Sequence, residues 1–235
     1  IYLNGELIQT HLGGYLPFHV KLDGKVLIGE ENTILVELDN RDNPLVPPGK
    51  PLKKLDFNYY SGIYRNVYLN VQNKIHIADP VEVDRIAGGG LLCSYDNVTN
   101  KSAEIKIQLD VENENANQQE VDLRIKLIDN NAPIASLDVK SAKIPASGFY
   151  RFNEQLTVTN PKMWSPDQPN LYTLQIEVFS NNQLVDKKSE TIGIRTFSMS
   201  VEDGLILNGE KIRLRGTNRH QEYPYIGYAL SDNAQ

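Results

Sequence analysis

The sequence is poor in the residues that build disulfide frameworks, metal centres and nucleic-acid surfaces. A single cysteine, Cys93, excludes an internal disulfide, and its apolar neighbours predict a buried thiol. The four histidines, at positions 11, 19, 76 and 220, lack metal-ligand spacing, so we expect no metal site in this chain. The net charge is −6 without a basic cluster, so no nucleic-acid partner is expected. No apolar run approaches the roughly 20 residues that cross a bilayer, so no membrane partner is expected.

Signals of other enzyme classes and of export are also missing. No helical pattern follows Gly88-Gly89-Gly90, which excludes a phosphate-binding loop, and no Ser lies in a nucleophile elbow. The first residues show no basic segment and no small-residue cleavage site. Because the chain starts at Ile1 and not at Met, we expect a fragment or a processed start. The missing signal peptide therefore leaves the compartment open.

The sequence does contain a regular succession of β-strand patterns separated by turn residues. Residues 103–111, 121–127 and 172–178 alternate strictly between apolar and polar side chains. Each of these strands thus has one apolar and one solvated face, as antiparallel sandwiches require. We predict an all-β chain with an immunoglobulin-like sandwich over residues 79–197.

Residues 1–78 predict part of an earlier sandwich. Asn4-Gly5 can form the type I′ turn of a hairpin, and Ile34, Val36 and Leu38 share one face of a strand over residues 32–40. A loop rich in Pro and Lys follows. The tyrosines at positions 59, 60 and 64 fit a packed core as well as sugar stacking. Because the chain opens directly on a hairpin strand, we expect this domain to be N-terminally incomplete.

A second Asn-Gly hairpin lies near the end of the chain. Its turn is Asn208-Gly209, and its second arm is predicted to run through Leu214 to Gly216. A polar run, residues 217–220, follows the arm. By residue type this run fits a solvated loop as well as a ligand site.

Four motifs resemble glycoside hydrolase family 2, which contains β-galactosidases, β-glucuronidases and β-mannosidases. They occur in the family's order: Ser-Gly-Ile-Tyr-Arg-Asn-Val-Tyr-Leu at 61–69, the Trp-Ser-Pro segment at 164–172, Gly-Ile-Arg-Thr-Phe at 193–197, and the hairpin segment at 207–220. The resemblance implies a jelly-roll sugar-binding domain (residues 1–78), an immunoglobulin-like domain (79–197) and the first strand of a truncated (β/α)₈ barrel (198–235). A complete barrel needs about 250 residues.

The resemblance implies a retaining exo-β-glycosidase that acts on terminal β-linked sugars, with β-galactosidase as the first expectation. β-Glucuronidase and β-mannosidase stay open, as does a non-catalytic carbohydrate-binding sandwich, although that would end near Phe197. The family's two catalytic Glu residues lie on later barrel strands, so no catalytic residue is expected in this chain. Glu210 follows a hairpin turn and Glu222 lies outside the family's acid/base motif, so neither is predicted to be catalytic.

Three residues match the family's substrate-binding positions. The Gly-x-Asn-x-His end of the barrel strand maps to Gly216, Asn218 and His220, which implies that His220 hydrogen-bonds the sugar and that Asn218 orders the strand end. Asn66 stands where known β-galactosidases carry a sugar-contacting Asp that helps to hold a monovalent cation. An amide oxygen can accept a hydrogen bond but brings no charge. Arg65 is predicted to be structural.

The same resemblance sets the expected partners and compartment. It implies a carbohydrate substrate, and it leaves room for a monovalent or magnesium cation and a homo-oligomer in the full-length enzyme. A periplasmic or secreted location is the expectation, with the cytoplasm as the alternative. The sugar specificity stays open.

Overall fold

A computed structural model describes residues 1–86, 88–220 and 222–234 and consists almost wholly of antiparallel β-strands. The all-β prediction is therefore confirmed. Contacts divide the chain into two units. The first unit comprises Ile1–Asn70 and the segment from Gly216 onward, and the second unit comprises Val71–Arg215. The three-domain division at residues 78 and 197 stays a prediction.

The first unit contains short strands and long irregular stretches. Its described elements are β1 (Tyr2–Leu3), β2 (Glu6–Leu7), β3 (Ile34–Leu35) and the 3₁₀ turns Leu52–Lys54 and Asp232–Ala234. The strands form an antiparallel sheet in the order β2-β1-β3. Asn4 and Gly5 have φ angles of 51° and 84°, so the predicted hairpin turn is confirmed.

The apolar side chains of the first unit bury little surface. Of the strand predicted over residues 32–40, only Ile34–Leu35 forms a ladder with β1, because β1 offers two residues for pairing. Ile34 and Leu38, which the alternation assigns to a buried face, are 52% and 55% exposed. The alternation therefore does not produce a packed face in this unit.

The second unit is a sandwich of two antiparallel sheets. It is built from β4 (Ile75–Ile77), α1 (Pro80–Val83), β5 (Leu91–Asp96), β6 (Ser102–Asn113), β7 (Gln119–Asp129), β8 (Ala132–Ile144), β9 (Gly148–Thr159), β10 (Tyr172–Ser180) and β11 (Gln183–Ile192). In one sheet β6 pairs with β9 along one edge and with β4 and β5 along the other. The second sheet has the order β11-β10-β7-β8.

The core of the second unit lies between these sheets. Ile105 and Ile107 of β6 meet Ile125 of β7 and Ile176 of β10 in one buried cluster. The three alternating segments read from the sequence lie within β6, β7 and β10, so those strand predictions are confirmed. Burying one apolar face of each sheet is what stabilises a sandwich.

A third small sheet completes the second unit. It contains β12 (Phe197–Ser200), β13 (Gly204–Leu207) and β14 (Glu210–Lys211). Asn208 and Gly209 have φ angles of 51° and 84°, as the predicted turn requires. The Asn208 side chain donates to the Trp164 carbonyl at 2.9 Å, which ties the hairpin to the Trp-Ser-Pro segment. The second arm ends at Lys211, before the Leu214 to Gly216 stretch that the alternation assigns to it.

A buried charge cluster surrounds Asp110 of β6, the strand that pairs with β9 on one side and with β4 and β5 on the other. The Asp110 side chain is 0% exposed and accepts hydrogen bonds from Arg151 Nε at 2.7 Å, Arg151 Nη2 at 2.9 Å and Arg85 Nη1 at 3.1 Å. The Gly89 backbone N–H donates to it at 3.1 Å. A Cβ at Gly88 would lie 2.2 Å from Arg151 Nη2, so a side chain at this position would displace the guanidinium that contacts Asp110. The Asp110 carboxylate is thus shielded from water, and N–H groups of the protein take the place of water as its hydrogen-bond donors.

In the described ranges, no helix combines the length and the apolar character needed to span a bilayer.

Candidate functional site

A cavity of about 330 Å³ lies within the first unit. It combines four aromatic rings with two guanidinium groups, an imidazole and a carboxylate. The lining residues are Tyr15, Phe57, Tyr64, Arg65, Arg219, His220, Glu222 and Tyr228. Aromatic walls with a few convergent polar groups are typical of small-molecule sites. The cavity is therefore the candidate functional site.

Asn58 joins the two chain segments that form most of the cavity. Its backbone N–H donates to Glu222 Oε1 at 2.6 Å, and its side-chain Nδ2 donates to Glu222 Oε2 at 2.6 Å. The Tyr228 hydroxyl donates to the Asn58 carbonyl. These contacts link residues 164 and 170 positions apart. They hold the aromatic stretch after Phe57 against the polar segment that follows Gly216.

Ring packing also holds the stretch after Phe57 against the segment that follows Gly216. The Tyr228 ring meets Tyr60 and Tyr64 edge-on, at centroid distances of 5.2 and 5.6 Å. Gly227 has a φ of 57°, and a Cβ there would lie 2.7 Å from the Tyr60 ring. The pKa of the Tyr228 hydroxyl is raised above its ordinary value, and burial is the largest cause. At neutral pH Tyr228 therefore remains a neutral hydrogen-bond donor.

Tyr64 connects the cavity wall to a third stretch of the unit. Its hydroxyl donates to the Gly14 carbonyl at 2.6 Å, which brings the neighbouring Tyr15 to the cavity. The pKa of Tyr15 is also raised, and burial is again the largest cause. Tyr15 thus keeps its proton at neutral pH. Tyr15 and Tyr64 present polar hydroxyl groups beside apolar ring faces, a combination suited to a sugar.

His220 lines the cavity with its side chain half exposed, at 51%. Its Nδ1 lies 3.9 Å from Glu222 Oε1, and its ring centroid lies 5.9 Å from that of Phe57. The structure thus places the His of the Gly-x-Asn-x-His motif beside both an aromatic ring and a carboxylate. Its assignment to substrate binding stays a prediction.

The other two predicted site residues lie outside the cavity lining. The Asn218 backbone carbonyl accepts a hydrogen bond from the Thr217 hydroxyl at 3.4 Å. The Asn66 side chain donates to the Tyr68 hydroxyl at 2.7 Å. His220 is therefore the predicted residue that the structure brings to the cavity, while the assignments of Asn218 and Asn66 stay predictions.

Two arginines contribute positive charge to the cavity. The Arg65 guanidinium lies 5.5 Å from the centre of the Tyr64 ring, and Arg219 lines the same space. Within the described residues neither arginine forms an ion pair, whereas the sequence predicts a structural role for Arg65. The one carboxylate of the lining, Glu222, directs both of its oxygens at Asn58.

Sequence reasoning missed the roles of Asn58, Glu222 and Tyr228. The aromatic stretch from Phe57 to Tyr64 was a usable signal for the wall, although it equally fits a core. Nothing local pairs Asn58 with Glu222. In the described part of the chain no group of three or more His, Cys, Asp or Glu side chains is arranged to hold a metal ion, and the cation stays a prediction about the full-length enzyme.

Comparisons with known proteins cover the whole chain. Residues 93–195 match the model for glycosyl hydrolases family 2. The β-galactosidase of Thermoanaerobacter pseudethanolicus is 31% identical over 100% of this chain and 29% of its own length. The β-glucuronidase of Formosa agariphila is 27% identical over 99% of this chain and 24% of its own length. The chain thus spans 29% and 24% of the length of these two curated relatives.

A solved structure shares the fold of the chain. The crystal structure of a Bacteroides uniformis β-glucuronidase superposes with a TM-score of 0.84 and 26% identity. The superposition covers 99% of this chain and 27% of that protein. The agreement extends over both the first and the second unit of the fold.

Proposed function

The chain belongs to glycosyl hydrolase family 2, and we propose from this premise that it serves a retaining exo-β-glycosidase whose first substrate class is terminal β-galactosides. The observation that carries the proposal is the position of His220 in a cavity with aromatic walls. An imidazole can donate to or accept from a sugar hydroxyl, and ring faces pack against the apolar face of a pyranose.

The chain's own residues would bind and orient the sugar. Retaining glycosidases cleave with two carboxyl groups about 5 Å apart, one acting as nucleophile and the other as acid/base. Glu222 is the carboxylate of this cavity, and both of its oxygens already accept hydrogen bonds from Asn58. We assign no chemical step to it. The proposed contribution of this chain is recognition of the terminal sugar by His220 and the tyrosine walls.

A second candidate function, β-glucuronidase, is favoured by Arg65 and Arg219. A guanidinium presents paired N–H donors that match a carboxylate, and both groups line the cavity without an ion-pair partner among the described residues. A glucuronide carries a carboxylate and a galactoside does not. The two candidates therefore differ in their dependence on these two arginines.

Ligand binding by the purified chain tests both candidates. We expect methyl β-galactoside to bind saturably in a titration followed by NMR, and His220→Ala to weaken that binding about tenfold or more. Methyl β-glucuronide is titrated in parallel at low and high salt, because a carboxylate–guanidinium contact weakens as ionic strength rises. Arg65→Gln and Arg219→Gln would weaken glucuronide binding if the second candidate holds. Lys25→Gln, which removes an exposed charge from the same unit, is the matched control.

Hydrolysis gives the complementary result. We expect no turnover of an aryl β-galactoside by residues 1–235 alone, and turnover by the natural protein that contains this sequence, after its intact mass has been measured. Turnover by residues 1–235 would show that the catalytic carboxylates lie within them. Absence of binding for both sugars, together with an inert natural protein, would contradict the glycosidase proposal and lead to a glycan-binding screen.

A further inference from the structure

The carboxylate of Glu222 is the acceptor for two donors of one residue. Asn58 N and Nδ2 lie 2.6 Å from Glu222 Oε1 and Oε2, distances typical of short hydrogen bonds to a charged acceptor. An ionised carboxyl group only accepts, so it matches these two N–H groups without conflict. The Tyr228 hydroxyl satisfies the remaining backbone group of Asn58. Every polar group of Asn58 apart from its side-chain oxygen is thereby held by the segment that also carries His220.

The same carboxylate faces the imidazole. Glu222 Oε1 lies 3.9 Å from His220 Nδ1, and His220 has no hydrogen-bond partner within the described residues. An acceptor on the Nδ1 side favours the ring form in which Nδ1 carries the proton. Nε2 is then the nitrogen left for a ligand. The charged groups that share the cavity, Arg65 and Arg219, are donors and offer Nδ1–H no alternative acceptor.

We propose that Glu222 is a positioning residue, which holds the Phe57–Tyr64 wall through Asn58 and orients His220 with its Nδ1 protonated and its Nε2 available to the ligand. The orientation toward a sugar rests on the proposed function, whereas the link between Glu222, Asn58 and His220 does not. Glu222 acts through Asn58 and His220 and does not itself need to touch the substrate.

The test uses the whole 235-residue chain with isotope-labelled histidine. At about pH 8.5, above the ordinary titration range of histidine, the ring ¹⁵N shifts report which nitrogen of the neutral imidazole carries the proton. We expect His220 of the unmodified chain to be the Nδ1–H form. Glu222→Gln should shift the balance toward Nε2–H, because an amide is a weaker acceptor than a carboxylate. Glu6→Gln, at an exposed carboxylate of the same unit, should change neither His220 nor Asn58.

A second variant separates the two effects of Glu222. Asn58→Ala removes the Nδ2 donor but leaves the carboxylate beside His220, so we expect the Nδ1–H form to persist. We expect Glu222→Gln to weaken methyl β-galactoside binding about tenfold, and Asn58→Ala to weaken it less. In both variants the amides of the second unit should keep their spectrum.

The outcomes are distinct. An Nε2–H form of His220 in the unmodified chain overturns the proposal, whether or not any variant folds. An unchanged tautomer and an unchanged Asn58 amide in Glu222→Gln overturn it as well. If no sugar binds but the tautomer responds as expected, the proposed function fails while the positioning role of Glu222 stands.

Discussion

The Asp110 side chain is buried, although it lies on the polar face of a strand whose position was predicted correctly. In the alternation of β6 it occupies a polar position, which predicts a solvated side chain. In the structure Arg85 and Arg151 cover it, and its carboxylate has no exposed surface. Both arginines lie outside the strand, at 25 and 41 residues from Asp110. The local pattern contains no information about partners so far away.

Asp110→Asn should destabilise the second unit by about 3 kcal/mol, because it leaves two guanidinium groups beside a neutral amide. Urea unfolding measures the change. Asp138→Asn is the matched control, since Asp138 pairs with Arg124 at 3.2 Å where both side chains are about half exposed. An exposed pair contributes under about 1 kcal/mol, so equal losses in the two variants would contradict the special role of Asp110.

The loss of stability in Asp110→Asn should depend on pH. The pKa of Asp110 lies below its ordinary value, and the hydrogen bond from Arg151 is the largest cause. Burial raises this pKa, whereas the hydrogen bonds from Arg85 and Gly89 lower it further. A carboxyl whose folded pKa lies below its unfolded pKa stabilises the fold above the unfolded value, near pH 4, and this stabilisation is lost as the pH falls further. The difference in urea midpoint between the unmodified chain and Asp110→Asn should therefore narrow below about pH 4.

At the scale of elements, the strands of the second unit are determined by their buried faces. Ile125 in β7 is 0% exposed and Ile134 in β8 is 46% exposed. Ile125→Ala should cost about 3 kcal/mol of unfolding free energy, since it removes buried methylenes and leaves a cavity. Ile134→Ala, the same chemical change at a half-exposed site, should cost under about 1 kcal/mol. Similar losses for both would mean that strand propensity, and not burial, stabilises these strands.

Two Asn-Asn turns form hairpins that the alternation of apolar and polar residues did not predict. Asn130 and Asn131 have φ angles of 48° and 68°, and Asn181 and Asn182 have φ angles of 50° and 62°. These Asn-Asn pairs connect β7 to β8 and β10 to β11 with the positive φ values of a type I′ turn. Asparagine tolerates this region better than other non-glycine residues do, so an Asn-Asn pair between apolar runs is a usable signal.

At the scale of the whole molecule, the two units differ in how much they bury. The second unit contains strands of 9 to 13 residues around one apolar cluster, whereas the strands described in the first unit have two residues each. Opening a segment costs less free energy where few apolar contacts must break. The first unit should therefore exchange its amide hydrogens faster than the second.

Hydrogen exchange of the whole chain measures this difference. We expect the amides of β6, β7 and β10 to be the most protected, and those of residues 9–31 to exchange first. Sugar binding at the proposed site should slow exchange around Asn58 and His220 while leaving β7 unchanged. Uniform protection across both units would contradict a difference in stability between them.

The sequence by itself determined the local features of this protein. The two Asn-Gly turns and the three alternating strands follow from backbone conformation and side-chain period, which act over a few residues. The four motifs also led to the family whose model matches residues 93–195. Tertiary structure alone decided which distant residues meet. Asn58 and Glu222 lie 164 positions apart, so their contact depends on the path of the chain between them. The strand predicted over residues 32–40 shows the same limit, because alternation forms a buried face only where another layer of the fold packs against it.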